Sequence, residues 1–116
     1  MRKIPPKLRK AMDEDPFYHR CCLTGYTGTH IDWHHCFTYR SRQINEAWAI
    51  MPVWEQKHSP QGDKDSVHNC KETKDYVEYL SLKRATAEDF KKYPKADFAQ
   101  KLKYLTKKYE KIGGAE

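Results

Sequence analysis

Hydrophobic and polar residues recur with different periods along the chain, and each change of period marks a predicted element. Pro6 suits the first position of a helix, and apolar residues follow it at helical spacing. We therefore predict a short helix over residues 5–14, which Pro16 ends. The opposite face of this helix carries Arg and Lys side chains, which are either solvated or in contact with phosphate groups.

The middle of the chain reads as two short strands followed by a helix. Residues 24–29 are rich in turn formers, whereas the residues after them alternate as a strand does. The predicted order is a strand over residues 31–33 that ends at His34 and His35, a polar segment over 36–46, a buried strand over 47–51, and a helix opened by Pro52 that runs from Val53 to about His58.

Beyond Gly62 the pattern is helical. Residues 71–84 carry an apolar stripe, which predicts a helix. Thr86 with Asp89 resembles the capping arrangement of a second, short helix, and Asp97 precedes the apolar stripe of a third helix. These elements predict an α+β fold in one domain over residues 1–116. Its parts are a basic N-terminal helix (1–16), a core (21–60) and a helical C-terminal part (63–112).

Composition and charge indicate a polyanionic partner. The 116 residues are 38% hydrophobic and 33% charged, so the core is modest and depends on aromatic side chains. The formal net charge is +6, which makes nucleic acid the first candidate. We find no apolar run long enough to span a membrane and no apolar segment typical of a signal peptide, so we expect a cytoplasmic protein whose four cysteines are not disulfide-bonded.

The candidate chemistry lies in a histidine-rich stretch over residues 30–35 and in His58. Imidazole is partly protonated near neutral pH, so it serves both as a base and as a metal ligand. Adjacent histidines at a strand end can diverge, one toward a metal ion and one toward a water molecule. In phosphodiester hydrolysis a metal ion neutralises developing charge, and a neutral imidazole takes the proton of the attacking water.

Three segments carry a family resemblance: residues 32–35, residues 48–54 and His58. Together they resemble the HNH endonucleases with their ββα-metal fold, and most of all the small phage-encoded HNH proteins. The resemblance covers residues 21–60 well and the helical tail over 73–105 more weakly. It implies a ββα-metal hairpin-helix core packed with N-terminal and C-terminal helices. It also implies a DNA endonuclease that uses one divalent metal ion (Mg, Mn, Ni or Zn) in the cytoplasm of a bacterial host.

Carried over position by position, the resemblance makes His34 and His58 metal ligands and His35 the general base. Asp32 would orient one of the ligand imidazoles without itself binding the metal ion. The third protein ligand stays open. His68 lies ten residues after His58 and would reach the site if the chain folded back.

Two positions depart from the family pattern. The Asn that usually precedes the last His by about nine residues is replaced by Ala49, and we assign its role to Asn45. Many relatives hold a structural zinc with pairs of Cys residues, and two of those positions, half of the zinc site, are Trp54 and Lys57 here. We therefore expect no structural zinc, and we interpret Cys22 and Cys36 as buried small apolar residues.

We predict DNA, double-stranded or branched, as the partner, with phosphate contacts from Arg40, Arg42 and Lys57. The sequence leaves the oligomeric state open, a homodimer included. Two other functions stay open as well. One is a nucleic-acid-binding module that kept the fold but lost cleavage. The other is a zinc-binding interaction protein that uses Cys21, Cys22, Cys36, His58, His68 and Cys70.

Overall fold

The computed structural model describes residues 4–114, which form an α+β fold, as predicted. Two 3₁₀ turns, Pro16–His19 and Ala47–Ala49, accompany the regular elements. In chain order these are α1 (Pro6–Asp13), β1 (Ile31–His35), β2 (Thr38–Tyr39), β3 (Arg42–Gln43), β4 (Ile50–Trp54), α2 (Glu55–His58), α3 (Lys71–Arg84), α4 (Ala87–Lys91) and α5 (Phe98–Gly114).

Strands β1 and β4 form an antiparallel pair in which Trp33 lies opposite Pro52. The backbone N–H of Glu55 donates to His30 O at 2.9 Å, which makes residues 30 and 55 a hydrogen-bonded pair. Since such pairs alternate along an antiparallel ladder, β1 requires no N–H from Pro52. The prediction that Pro52 opens a helix is therefore wrong. Pro52 lies within β4, and α2 begins three residues later at Glu55.

The segment between these strands is more regular than its polar sequence indicates. Strands β2 and β3 pair as a two-stranded ribbon. Arg40 and Ser41 form its turn with φ values of 53° and 65°, the backbone that a tight hairpin requires. The predicted second strand starts too early, because residues 47–49 form a 3₁₀ turn and β4 begins at Ile50. A continuous apolar run does not reveal this boundary, since it has no period.

Strand β4 is buried on both faces. Ile50 packs with Met12 and Tyr18 in a small cluster beside α1, whereas Met51 and Val53 belong to the main core with α3 and α5. Residues opposite each other in an antiparallel pair share a face. The register therefore sends the side chains of Asp32 and His34 toward the main core and those of Trp33 and His35 toward α1.

The C-terminal helices follow the sequence prediction closely. Helix α3 spans Lys71–Arg84, and Thr86 and Asp89 form a complete capping box at the start of α4. Helix α3 is tied to the hairpin by side-chain hydrogen bonds: Ser81 Oγ donates to Trp48 O at 2.6 Å, and Arg84 donates to Ala47 O at 3.0 Å. Within residues 4–114 no helix combines the length and apolarity that crossing a membrane would require.

Candidate metal centre

Three imidazoles from three segments converge at one end of the hairpin. His34 comes from β1, His58 ends α2, and His68 lies in the loop before α3. The distance from His34 Nδ1 to His58 Nε2 is 3.2 Å, and that from His68 Nε2 to His58 Nε2 is 3.3 Å. All three ligand atoms lie within 4.8 Å of one another. The fold thus brings together the two predicted ligands, His34 and His58, and His68, the candidate for the third ligand.

The hydrogen bond behind His58 determines which of its nitrogens faces the cluster. Nδ1 of His58 lies 2.9 Å from Asp32 Oδ2, so Nδ1–H donates to the carboxylate and Nε2 keeps its lone pair. One lone pair accepts one N–H, yet the nitrogens of both His34 and His68 are close to it. A bound cation satisfies all three nitrogens at once, which hydrogen bonds among them do not.

The donor set fits a divalent transition metal. Nitrogens bound to zinc at about 2.0–2.1 Å in a tetrahedral site are about 3.4 Å apart, close to the two short spacings here. Three protein ligands leave a coordination position for water or substrate, as in catalytic sites. An all-imidazole set suits Zn, Ni, Co or Mn better than Mg, which prefers oxygen ligands.

The loop that carries His68 is held beside α2 by one backbone hydrogen bond and by the side-chain amide of Asn69. The N–H of Val67 donates to Lys57 O at 2.7 Å. The side-chain amide of Asn69 donates to Pro60 O and to Asp63 O, both at 3.0 Å. These bonds explain how a histidine ten residues beyond α2 returns to its end.

Loss of solvent and the neighbouring charges lower the pKa of two of the imidazoles. His34 is 9% exposed, and burial, reinforced by the neighbouring His58 and His68, lowers its pKa to about 3. The pKa of His68 is lowered as well, by burial first and then by the charges of His58 and Lys74. Neutral imidazole is the form that binds metal, so the lone pairs of both residues are available at neutral pH.

His35 lies outside the three-histidine group and is held by a different partner. Its Nε2 is 2.6 Å from Asn45 Oδ1. Since an amide oxygen only accepts, Nε2 carries the proton and Nδ1 keeps its lone pair. The structure thus brings Asn45 to the residue predicted as general base, although it precedes His58 by thirteen positions rather than the family's nine.

Three of the histidines, His34, His35 and His68, line a small cleft of about 400 Å³. No carboxylate is among the residues that line it. They are His34, His35, Cys36, Phe37, Thr38, Gln43, Val67, His68 and Lys74. The sequence analysis does not single out Lys74, because in the sequence it is one of several charged residues of a helix. Only the folding of the loop before α3 brings it to the histidines.

The predicted phosphate contacts have different surroundings. Arg40 lies at the β2–β3 turn with its guanidinium 5.3 Å from the centre of the Tyr39 ring. Arg42 lines a small cavity that Asn45 also borders. Lys57, in contrast, is 2.8 Å from Asp65 and 3.1 Å from Asp63, so two carboxylates offset its charge.

The cysteines do not join the metal-ligating group. Among the side chains of residues 4–110, the three histidines are the one group of three or more such residues close enough to share a metal ion. Cys21 and Cys36 are buried, as expected of Cys36, but Cys22 is only half-buried, which corrects its prediction as a buried residue. All four thiols are free. The ligand set predicted for a zinc-binding interaction protein is therefore not assembled in this part of the chain.

Comparisons with known protein families, with curated proteins and with solved structures found no match for this chain.

Proposed function

We propose that this protein is a metal-dependent DNA endonuclease of the HNH type, phage-encoded and of low sequence specificity. One observation carries the proposal: His35, the residue predicted as the general base, lines the same carboxylate-free cleft as His34 and His68, two members of the three-histidine group. A general base beside a metal site is the pair of functions that phosphodiester hydrolysis requires.

The three-histidine group, His34, His58 and His68, would hold the metal ion. When bound, a divalent metal supplies charge neutralisation at a non-bridging phosphate oxygen and at the leaving oxygen. Asp32 accepts the Nδ1 proton of His58, which fixes the tautomer and makes Nε2 a better donor.

His35 would take the proton of the attacking water at Nδ1. Asn45 fixes the tautomer by accepting at Nε2, so the ring cannot turn its N–H toward the water. The His35 imidazole, once protonated, remains hydrogen-bonded to the amide oxygen of Asn45. A base positioned in this way contributes on the order of 10²–10⁴-fold to the rate.

Phosphate contacts from Arg40 and Arg42 would make DNA binding strongly dependent on salt and largely independent of sequence. The substrate is double-stranded or branched DNA in the cytoplasm of a bacterial host, and a homodimer is compatible with this function. The principal alternative is a DNA-binding module that no longer cleaves. Ala49 at the family's Asn position favours it, and the contact between Asn45 and His35 favours the nuclease.

The decisive experiment is a plasmid-nicking assay of the wild type, His35→Ala and the control His19→Ala, in EDTA and in Mg, Mn, Ni and Zn. His19 is an exposed histidine whose Nε2 is 2.7 Å from Asp13 O, outside the cleft. We expect metal-dependent nicking by the wild type and the control and at least a hundredfold loss in His35→Ala. Salt-sensitive binding without nicking in any metal would favour the non-catalytic module. An unchanged rate in His35→Ala would refute its assignment as the base.

A further inference from the structure

The lysines of α3 differ in whether a carboxylate lies near their ammonium groups. Lys71 lies 2.8 Å from Asp75, and Lys83 lies 3.5 Å from Glu110. Lys74 has no carboxylate within ion-pair distance among the described residues. Of the three lysines of α3, Lys74 is therefore the one without an ion pair among the described residues.

The reason lies in a competition for Glu78. Glu78 is four residues after Lys74, the position at which a helical ion pair would form. Instead Glu78 is buried against α5, and its carboxylate lies 2.9 Å from Nζ of Lys101. The packing of α5 on α3 thus removes the partner that Lys74 would have in an isolated helix.

The unpaired ammonium faces an environment suited to anions. Lys74 lines the cleft that contains His34, His35 and His68, and no carboxylate lines that cleft. An ammonium group in a cleft that no carboxylate lines attracts a phosphate oxygen.

The backbone of α3 holds this lysine in a fixed position relative to the hairpin. Near the C-terminal end of the helix, Ser81 and Arg84 donate to carbonyl oxygens of the segment that leads into β4. At the other end, the N–H of Cys70 donates to Ser66 O at 2.9 Å within the loop that carries His68. The side chain of Lys74 itself is exposed, so a substrate reaches it directly.

We infer that Lys74 binds a non-bridging oxygen of the phosphodiester at the three-histidine group, as a substrate-binding residue supplied by a helix outside the hairpin and α2. The inference rests on the proposed function, because it places the reacting phosphate in that cleft. Lysine suits this task as a compact point charge with three donors.

Two measurements on the full-length chain test the inference, with Lys74→Gln, Lys74→Arg and the control Lys103→Gln, which removes the charge of an exposed lysine on α5. The first measures binding of a short labelled DNA duplex in EDTA over a series of salt concentrations. The second measures metal-dependent hydrolysis of bis(4-nitrophenyl) phosphate, a small diester that lacks neighbouring phosphates.

We expect the slope of log K against log salt to become shallower by about 0.9 in Lys74→Gln, which corresponds to one lost phosphate contact, and to remain unchanged in Lys103→Gln. For the small diester we expect kcat/KM to fall about tenfold in Lys74→Gln and to recover in Lys74→Arg. A shallower salt slope for DNA binding with an unchanged kcat/KM for the small diester would overturn the assignment to the reacting phosphate.

The two failures are distinguishable. If the wild type neither nicks plasmid DNA nor hydrolyses the small diester with any metal, the proposed function fails, while the salt dependence in EDTA still decides whether Lys74 contacts phosphate. If the wild type is active and Lys74→Gln matches Lys103→Gln in both measurements, the nuclease function stands and the inference about Lys74 is refuted.

Discussion

Asp32 accepts a hydrogen bond from Nδ1 of His58 at 2.9 Å, and this contact turns the opposite nitrogen of His58 toward His34 and His68. Asp32 and His34 lie on the same face of β1, two residues apart. One strand therefore supplies both a ligand and the group that orients a second ligand on α2. The geometry of the metal centre depends on this pairing.

Replacing Asp32 should weaken metal binding without removing a ligand. In Asp32→Asn the carboxylate charge behind His58 is lost, and we expect a 10–100-fold lower affinity for Zn or Ni. Isothermal titration calorimetry of the metal-free protein measures the affinity. The control is Asp13→Asn, whose carboxylate faces the exposed His19 at 3.8 Å. Equal affinities of Asp32→Asn and the wild type would contradict the role assigned to Asp32.

Metal should stabilise the folded protein through His68. A metal that binds only the folded state adds about 2.7 kcal/mol at a concentration of 100 Kd. We expect Zn or Ni to raise the Tm of the wild type, EDTA to reverse the rise, and His68→Ala to lose most of it. His68 is the exposed member of the group, so its removal leaves the fold intact. Cys70→Ser serves as the matched control. A loss of the metal response in Cys70→Ser would instead support a cysteine ligand.

Asn45 should affect cleavage while leaving metal binding unchanged. In Asn45→Ala the tautomer of His35 is no longer fixed, and we expect kcat to fall about 10–100-fold. The pH–rate profile should also shift, because the hydrogen bond at Nε2 is gone, whereas a merely structural role would leave the profile unchanged. Zn affinity equal to that of the wild type verifies that the site remains. Asn45→Asp, which keeps an acceptor oxygen, should recover part of the rate.

Acid should destabilise the packing of α5 on α3 through Asp75. Burial raises the pKa of this carboxyl, but hydrogen bonds from Lys71 and Lys108 outweigh burial, so the pKa is lowered overall. The contribution is present above the unfolded-state pKa of about 3.8 and is lost as the pH falls through the lower folded-state value.

At pH 7 we therefore expect Asp75→Asn to lower the free energy of unfolding by roughly 1 kcal/mol. The difference from the wild type should shrink as the pH falls below 4, as measured by urea unfolding at several pH values. A difference that does not change between pH 7 and pH 3 would show that the loss comes from packing rather than from charge.

The sequence by itself determined those elements whose signals lie within a few neighbouring residues, such as a cap or the alternation of a strand. Helix α3 has the predicted boundaries, and α4 starts at the predicted cap because Thr86 and Asp89 need only each other. The divergence of the His34 and His35 side chains at the end of β1 was also predictable, since strand alternation sends neighbouring side chains to opposite faces.

Tertiary structure alone decided the remaining features, because each depends on partners far apart in the chain. From the sequence alone, Pro52 is predicted to start a helix. The register with β1 instead places Pro52 at a strand position from which β1 requires no N–H. His68 and Lys74 reach the site because hydrogen bonds fold the loop before α3 back toward α2, and this loop has no hydrophobic periodicity that would predict its path. Lys74 has no ion pair because Lys101 of α5 binds the carboxylate of Glu78. Local patterns specify which residues form an element, whereas long-range packing specifies which elements meet and so which side chains share a site.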